Sequence, residues 1–70
     1  MKRWEYGQFS YGGPGRGRLM RVVFSHRSTW EPTGEDFWQV LRRLGEEGWE
    51  VVSVNRDGPV EYYFLKRPFE

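Results

Sequence analysis

Arginines in and near a glycine-rich loop in the first third of the chain could bind a ligand. The loop between Tyr11 and Leu19 contains Arg16 and Arg18. Glycines let a ligand approach the backbone, and guanidinium groups donate paired hydrogen bonds to phosphate oxygens. The loop is not a Walker phosphate loop, since no Gly-Lys-Ser or Gly-Lys-Thr follows it and no helix is predicted after it. A flexible hairpin loop with solvated arginines is the simpler interpretation.

Aromatic residues alternate with these arginines along the chain. Rings that stack on a base, next to guanidinium groups that hold phosphate, are typical of nucleotide-binding sites. The candidate ligand-binding residues are Tyr11, Arg16, Arg18, Arg21, Arg27 and Trp30. The net charge of +1 is low for a protein that binds extended nucleic acid, so a small nucleotide-type ligand is the favoured partner. At least half of the rings are expected in the core.

Catalytic and metal sites are poorly supported. His26 is the only histidine, and Ser25, Ser28 and Thr29 lie near it. A catalytic triad also needs an orienting carboxylate and an oxyanion hole, and the sequence identifies neither. One histidine with scattered carboxylates is a weak donor set for a metal. We therefore expect no enzyme activity, no metal and no cofactor.

Charge is polarised along the chain. Residues 1–27 carry six basic residues against Glu5 alone, whereas residues 28–50 carry two basic residues against six acidic ones. Such a chain can attract anions at one end or pair with copies of itself. An equally good explanation is a helix whose acidic side chains simply face the solvent.

Length and composition predict one small domain, residues 1–70. A chain of this size buries only about 60% of the surface that it exposes when unfolded, and without cysteine it has no disulfide to stabilise it. Four Trp, four Tyr and five Phe are more rings than one small core can hide. No run is apolar enough to span a membrane, and no apolar segment follows Met1-Lys2-Arg3, so neither a membrane contact nor a signal peptide is predicted. A cytoplasmic location is expected.

Periodicity predicts two hairpins around one helix. The helix has an apolar stripe, begins at an N-cap Thr33 with Asp36 three residues later, and ends before Gly48. The predicted strands are residues 3–11, 18–25, 49–55 and 60–67, with a possible bulge near Gly7. The expected fold is an α+β two-layer sandwich, β-β-α-β-β, in which an antiparallel sheet has one helix on one face.

The last two strands are apolar on both faces. On the third strand, Val51 is expected on one face and Val52 and Val54 on the other. On the fourth strand, Tyr62 and Phe64 are expected on one face and Tyr63 and Leu65 on the other. This pattern is typical of a sheet covered on both sides, and one helix covers only one. We therefore expect a second copy of the protein to cover the other face. Trp49 is expected in the core, and Trp38 is the better candidate for an interface.

Three short motifs stand out: a Trp-Glu-Tyr opening at residues 4–6, a Leu-Gly-Glu-Glu-Gly-Trp-Glu centre at residues 44–50 and a Lys-Arg-Pro ending at residues 66–68. With these motifs the chain, above all its segment from Leu41 to Phe69, resembles a family of small bacterial and phage domains of unknown function. The resemblance covers about 40 of the 70 positions. It implies a compact α+β domain and no activity. The chain departs from the family pattern at Gly12–Arg18 and at His26–Trp30.

Together these observations favour a non-enzymatic, homo-oligomeric binding protein that sequesters a small anionic aromatic ligand. A bacterial or phage protein that removes a nucleotide-type signal from solution would have this profile. The alternative is a protein–protein interaction module that docks through an exposed aromatic face of the sheet. A minor enzyme is the weakest of the three interpretations.

Overall fold

The computed structural model describes residues 3–13 and 19–68. Its elements, in chain order, are β1 (Trp4–Gly12), β2 (Leu19–Phe24), α1 (Phe37–Glu46), β3 (Glu50–Asp57) and β4 (Val60–Pro68). The four strands form one antiparallel sheet, and the helix described here packs on one of its faces. The predicted α+β fold with the order β-β-α-β-β is therefore confirmed.

The strand order is β2-β1-β4-β3, so the first and last strands lie side by side in the centre of the sheet. β1 pairs with β4 along its whole length, from Trp4 opposite Pro68 to Gly12 opposite Val60. The two hairpins contribute the edges. The outer edge of β2 is partly paired, because Val22 and Trp30 exchange two backbone hydrogen bonds of 2.7 and 2.8 Å.

The helix begins later than the predicted N-cap Thr33, and that prediction is wrong. The N-cap is Asp36, which accepts a hydrogen bond from the backbone N–H of Gln39 at 2.9 Å. The Gln39 side chain accepts the N–H of Asp36 at 2.8 Å, which completes a capping box. Gly34 has a φ of 72°, a left-handed conformation that interrupts a helix starting at Thr33.

β1 alternates without interruption, so the predicted bulge near Gly7 is wrong. Trp4 and Tyr6 occupy one face, and Phe9 and Tyr11 the other, because side chains at even and odd positions of a regular strand point to opposite faces. The irregularity lies in β3, where the pairing with β4 shifts between Val51 and Ser53. Both faces of β1 therefore carry rings.

The core lies between α1 and the sheet face that carries Phe9. Its buried residues are Phe9, Val22, Val40, Leu44, Trp49 and Leu65. The Phe37 ring packs on Phe9 at 5.6 Å and on Tyr63 at 5.3 Å between ring centroids. The interpretation of Trp49 as a core residue is confirmed. All eight residues of β3 are exposed, so the helix covers β2, β1 and β4 but not β3.

The Arg67 guanidinium joins three parts of the fold at one corner. It donates to the buried Glu5 carboxylate through Nε at 2.7 Å and to the carbonyl of Glu47, the C-cap of α1, through Nη1 at 2.6 Å. Its carbon Cζ also lies 4.6 Å from the centroid of the Trp49 ring. The first strand, the helix end and the last strand are therefore connected through one side chain.

The observed N-cap generates a stability prediction. Replacing Asp36 by alanine should lower the free energy of unfolding by about 1 kcal/mol, because it leaves backbone N–H groups of the first helical turn without a partner. Replacing Thr33 by alanine should change it by much less, because Thr33 does not cap the helix. Urea denaturation followed by circular dichroism measures both values, and equal losses in the two variants would contradict this assignment.

Arg67 generates a second stability prediction. Replacing it by methionine should destabilise the fold by about 3 kcal/mol, because the Glu5 carboxylate stays buried without its cation. Adding Glu5→Gln should recover part of this loss, since the buried group is then neutral. Arg42→Met, at an exposed arginine of α1, is the matched control and should be close to neutral. Chemical denaturation of the four proteins tests the coupling; equal losses in Arg67→Met and Arg42→Met would refute it.

Candidate binding surface

The sheet face opposite α1 is an open surface with rings and cations. Within residues 3–13 and 19–68, no helix or strand packs on this face. Residues directly opposite one another in an antiparallel pair share a face, so the strand register identifies its members. They include Trp4, Tyr6, Gln8 and Ser10 from β1, Arg21 and Val23 from β2, Ser53 and Asn55 from β3, and Tyr62, Phe64 and Lys66 from β4.

The two central strands, β1 and β4, supply the rings of this face. Tyr6 is 56% exposed, and Tyr62 and Phe64 are half-buried on the neighbouring strand β4. The Lys66 ammonium lies 4.1 Å from the centroid of the Trp4 ring. Aromatic faces beside a cation can stack a base and neutralise a phosphate. We call the group Trp4, Tyr6, Tyr62, Phe64 and Lys66 the ring platform.

Arg21 borders the platform on β2. It lies opposite Ser10 in the register, and its guanidinium contacts the Glu31 carboxylate through Nε at 3.0 Å and Nη2 at 2.8 Å. Both side chains are 60% exposed, and an ion pair in that setting contributes little free energy because solvent screens it. An anionic ligand could therefore displace the Glu31 carboxylate from Arg21 at a small cost in free energy.

A cleft of about 640 Å³ extends from Arg21 around the edge of β2. Its lining includes Tyr62, Ser10 and Met20, together with the carboxylates of Glu31 and Glu35. Gly13 and Leu19 also line it, and these are the residues at which the chain enters and leaves segment 14–18. The described walls carry charges of both signs, so an anion would fit the Arg21 side of the cleft and not the Glu35 side.

The structure places the predicted site residues in separate neighbourhoods. Tyr11 lies on the helix face, where its ring is 4.9 Å from that of Phe37. Trp30 pairs with Val22 beside the core, and the guanidinium of Arg43 lies 5.2 Å from its ring. Both rings therefore pack within the subunit.

The two predicted arginines that the structure describes, Arg21 and Arg27, are also not brought together. Arg27 contacts Glu47 at 3.2 Å and lies 5.1 Å from the Phe24 ring, beyond the end of β2. Of these two, Arg21 lies at the cleft and beside the platform. Arg16 and Arg18 lie outside the described residues. The set as a whole stays a prediction, with Arg21 as its one described member on the open face.

The platform residues Tyr6, Tyr62, Phe64 and Lys66 were not among the predicted site residues. The signal was present in the sequence, since the alternation of rings along the first and last strands indicated two apolar faces. Choosing the open face requires knowing which face α1 covers, and Gly7, Phe9 and Tyr11 on β1 lie on the covered one.

His26 lies at the end of the β1–β2 hairpin, away from Arg21. Its Nδ1 is 2.8 Å from the Ser25 hydroxyl oxygen, which also accepts the backbone N–H of Tyr6 at 3.1 Å. This arrangement ties the chain after β2 to β1. Among the residues that the structure describes, no group of three or more His, Asp or Glu side chains is arranged to hold a metal ion.

Tyr63 carries a perturbed hydroxyl on the helix face. It donates to the Glu61 carboxylate at 2.7 Å, and Arg56 pairs with the same carboxylate. The hydrogen bond to Glu61, together with burial, raises the pKa of Tyr63 above its usual value of 10.0, because both favour the neutral phenol.

Comparison with protein-family models and with curated proteins returns no match for this chain. The resemblance inferred from the sequence motifs therefore stays a prediction. Among the described residues, no helix is long and apolar enough to cross a membrane.

The raised pKa of Tyr63 predicts a pH dependence of stability. The stabilisation from the neutral phenol is fully present below pH 10.0, the usual tyrosine pKa, and is lost as the pH rises through the higher folded-state pKa. The free energy of unfolding of the native protein should therefore fall relative to Tyr63→Phe above about pH 10. Denaturation curves from pH 7 to 11 measure this difference. In a Glu61→Gln background the difference should be nearly independent of pH, and a full-sized effect there would exclude Glu61 as the cause.

Proposed function

We propose that this protein is a non-enzymatic, homo-oligomeric binding protein that sequesters a small anionic aromatic ligand of nucleotide type. The ligand lies on the open face of the sheet. Its base stacks on the ring platform, and its phosphate is held at the Arg21 side of the cleft. The observation that carries this proposal is an uncovered sheet face with exposed rings beside Arg21 and Lys66.

The chemistry of the platform supports a ring-shaped ligand. Every base has a π-face, and stacking on an aromatic side chain contributes roughly 1–3 kcal/mol per base. Tyr6 offers more than half of its surface to solvent, and Tyr62 on β4 lies at the same face and also lines the cleft. One ligand that spans both would contact the platform and Arg21 together.

The residues on either side of segment 14–18 support the anionic part of the ligand. The loop connects Gly13 to Leu19, and both residues line the cleft beside Arg21. Arg16 and Arg18 lie between these two residues in the sequence. Guanidinium groups suit phosphate because their forked donors match its oxygens.

The uncovered sheet face supports self-association. A one-helix, one-sheet fold leaves the second sheet face uncovered, and small domains often complete their cores by oligomerising. The absence of cysteine fits the proposed cytoplasmic location.

A protein partner that docks through the same face is the second candidate function. Two exposed apolar residues lie on this face along β2, on either side of Arg21: Leu19 is 76% exposed, and Val23 keeps nearly half of its surface in solvent. Exposed apolar residues suit the side chains of a protein partner better than they suit a phosphate.

Isothermal titration calorimetry against a panel of linear and cyclic nucleotides tests the proposal. At least one member should give saturable heat, and Tyr6→Ala should weaken its binding at least about fivefold because a stacking surface is removed. The double variant Arg16→Ala and Arg18→Ala should also weaken binding, since phosphate contacts are lost. The absence of heat with every nucleotide would refute the ligand and favour the protein partner.

Two matched variants separate binding from folding in this experiment. Tyr6→Phe keeps the aromatic face and should bind almost as well as the native protein. Arg42→Ala removes an exposed arginine of α1, on the covered side of the sheet, and should leave binding unchanged. If Arg42→Ala weakened binding as much as the loop variant, general charge and not a site near Arg21 would be responsible.

A further inference from the structure

β3 is an exposed edge strand with an apolar centre. All eight of its residues are exposed, and Val51, Val52 and Val54 keep about half of their surface in solvent. An edge strand presents unpaired backbone N–H and C=O groups that can pair with another chain. The other edge differs, because Trp30 pairs with Val22 on the outer side of β2. The described sheet therefore has one protected edge and one open edge.

On the sheet face that carries α1, the helix also leaves β3 uncovered. The guanidinium of Arg43 lies over Trp30, beside β2, so that flank of α1 faces β2. At 3.6 residues per turn, Trp38 lies on the opposite flank, which faces the β3 side. Trp38 is 72% exposed. An apolar shelf, formed by Val51, Val52, Val54 and Trp38, therefore runs along the open edge.

We propose that two copies of this chain pair antiparallel through β3, which joins their sheets into one of eight strands with both helices on the same face. The proposal rests on the homo-oligomeric part of the proposed function and names the surface that performs it. The second copy is the occupant because β3 is complementary to itself in this direction. Parallel pairing would place Glu50 beside Glu50, whereas antiparallel pairing brings Glu50 to the end that carries Asn55 and Arg56.

Charge and side-chain parity select the register. If Ser53 lies on the two-fold axis, Val54 of each copy faces Val51 and Val52 of the other copy, which together occupy one position of the register. Asn55 then faces Glu50 on the open face of the sheet. The amide of Asn55 can then donate to the carboxylate. If Val54 lies on the axis, Asp57 faces Glu50, and this like-charge pair is repeated by the symmetry. The structure therefore favours the axis at Ser53.

Cysteine cross-linking tests the register, because the native chain contains no cysteine. Ser53→Cys should form a disulfide-linked dimer under mild oxidation, since opposed Cα atoms of an antiparallel pair are about 4.5–5.5 Å apart, within disulfide range. Asn55→Cys, on the same face and strand, is the matched control. Its two thiols would be about 14 Å apart along the strands and should not cross-link.

Sedimentation analysis over a range of concentrations tests the association itself. The native protein should form dimers as its concentration rises, and Val54→Lys should weaken this dimer at least tenfold while keeping the native circular dichroism spectrum. Val23→Lys changes a similarly exposed valine on the open face and should still dimerise. A native protein that stays monomeric, a Ser53→Cys variant that cross-links no faster than Asn55→Cys, or a Val54→Lys variant that dimerises normally would overturn the proposal.

The two proposals can fail separately. Saturable nucleotide heat from a protein in which Ser53→Cys does not cross-link would refute pairing through β3 and leave ligand binding intact. Efficient cross-linking at Ser53 in a protein that gives no heat with any nucleotide would support the dimer and refute the ligand.

Discussion

The buried ion pair between Arg67 and Glu5 is the constraint on which the arrangement of the other elements depends. A buried carboxylate is tolerated only when a cation and hydrogen bonds compensate the loss of water. Arg67 supplies these to Glu5 and also holds the carbonyl of Glu47 and the face of Trp49. The central strands are thereby fixed in register, and the end of α1 is fixed on one face. The motifs that suggested a family resemblance contain these four residues, so their spacing has a structural reason.

Fixing α1 over β2, β1 and β4 has two consequences for binding. The opposite sheet face keeps its rings in contact with solvent, and β3 stays uncovered on both sides. Because a helix of ten residues is only about 15 Å long, it cannot shield the whole sheet. The open face and the open edge therefore arise from the same shortage of covering elements, and the proposed ligand and the proposed second copy use different parts of it.

Local patterns predicted the elements well and their ends less well. Alternation and turn residues were sufficient for the four strands, because strand pairing requires those features locally. The helix start was misplaced, since Thr33 and Asp36 are both good caps and the conformation of Gly34 decides between them. The irregularity expected near Gly7 occurs at Val51–Ser53 instead, because pairing between strands and not composition determines where a register shifts.

The sequence by itself determined the fold class, the apolar character of both sheet faces and the types of residue available for binding. These depend on periodicity, which each segment carries alone. Only the tertiary structure decided which rings are available. Tyr11 and Trp30, chosen for their neighbours in sequence, pack beside the core, whereas Tyr6, Tyr62 and Phe64 lie on the open face. The physical reason is that one helix can cover only one face, and the long-range contacts of Arg67, Trp49 and α1 select that face.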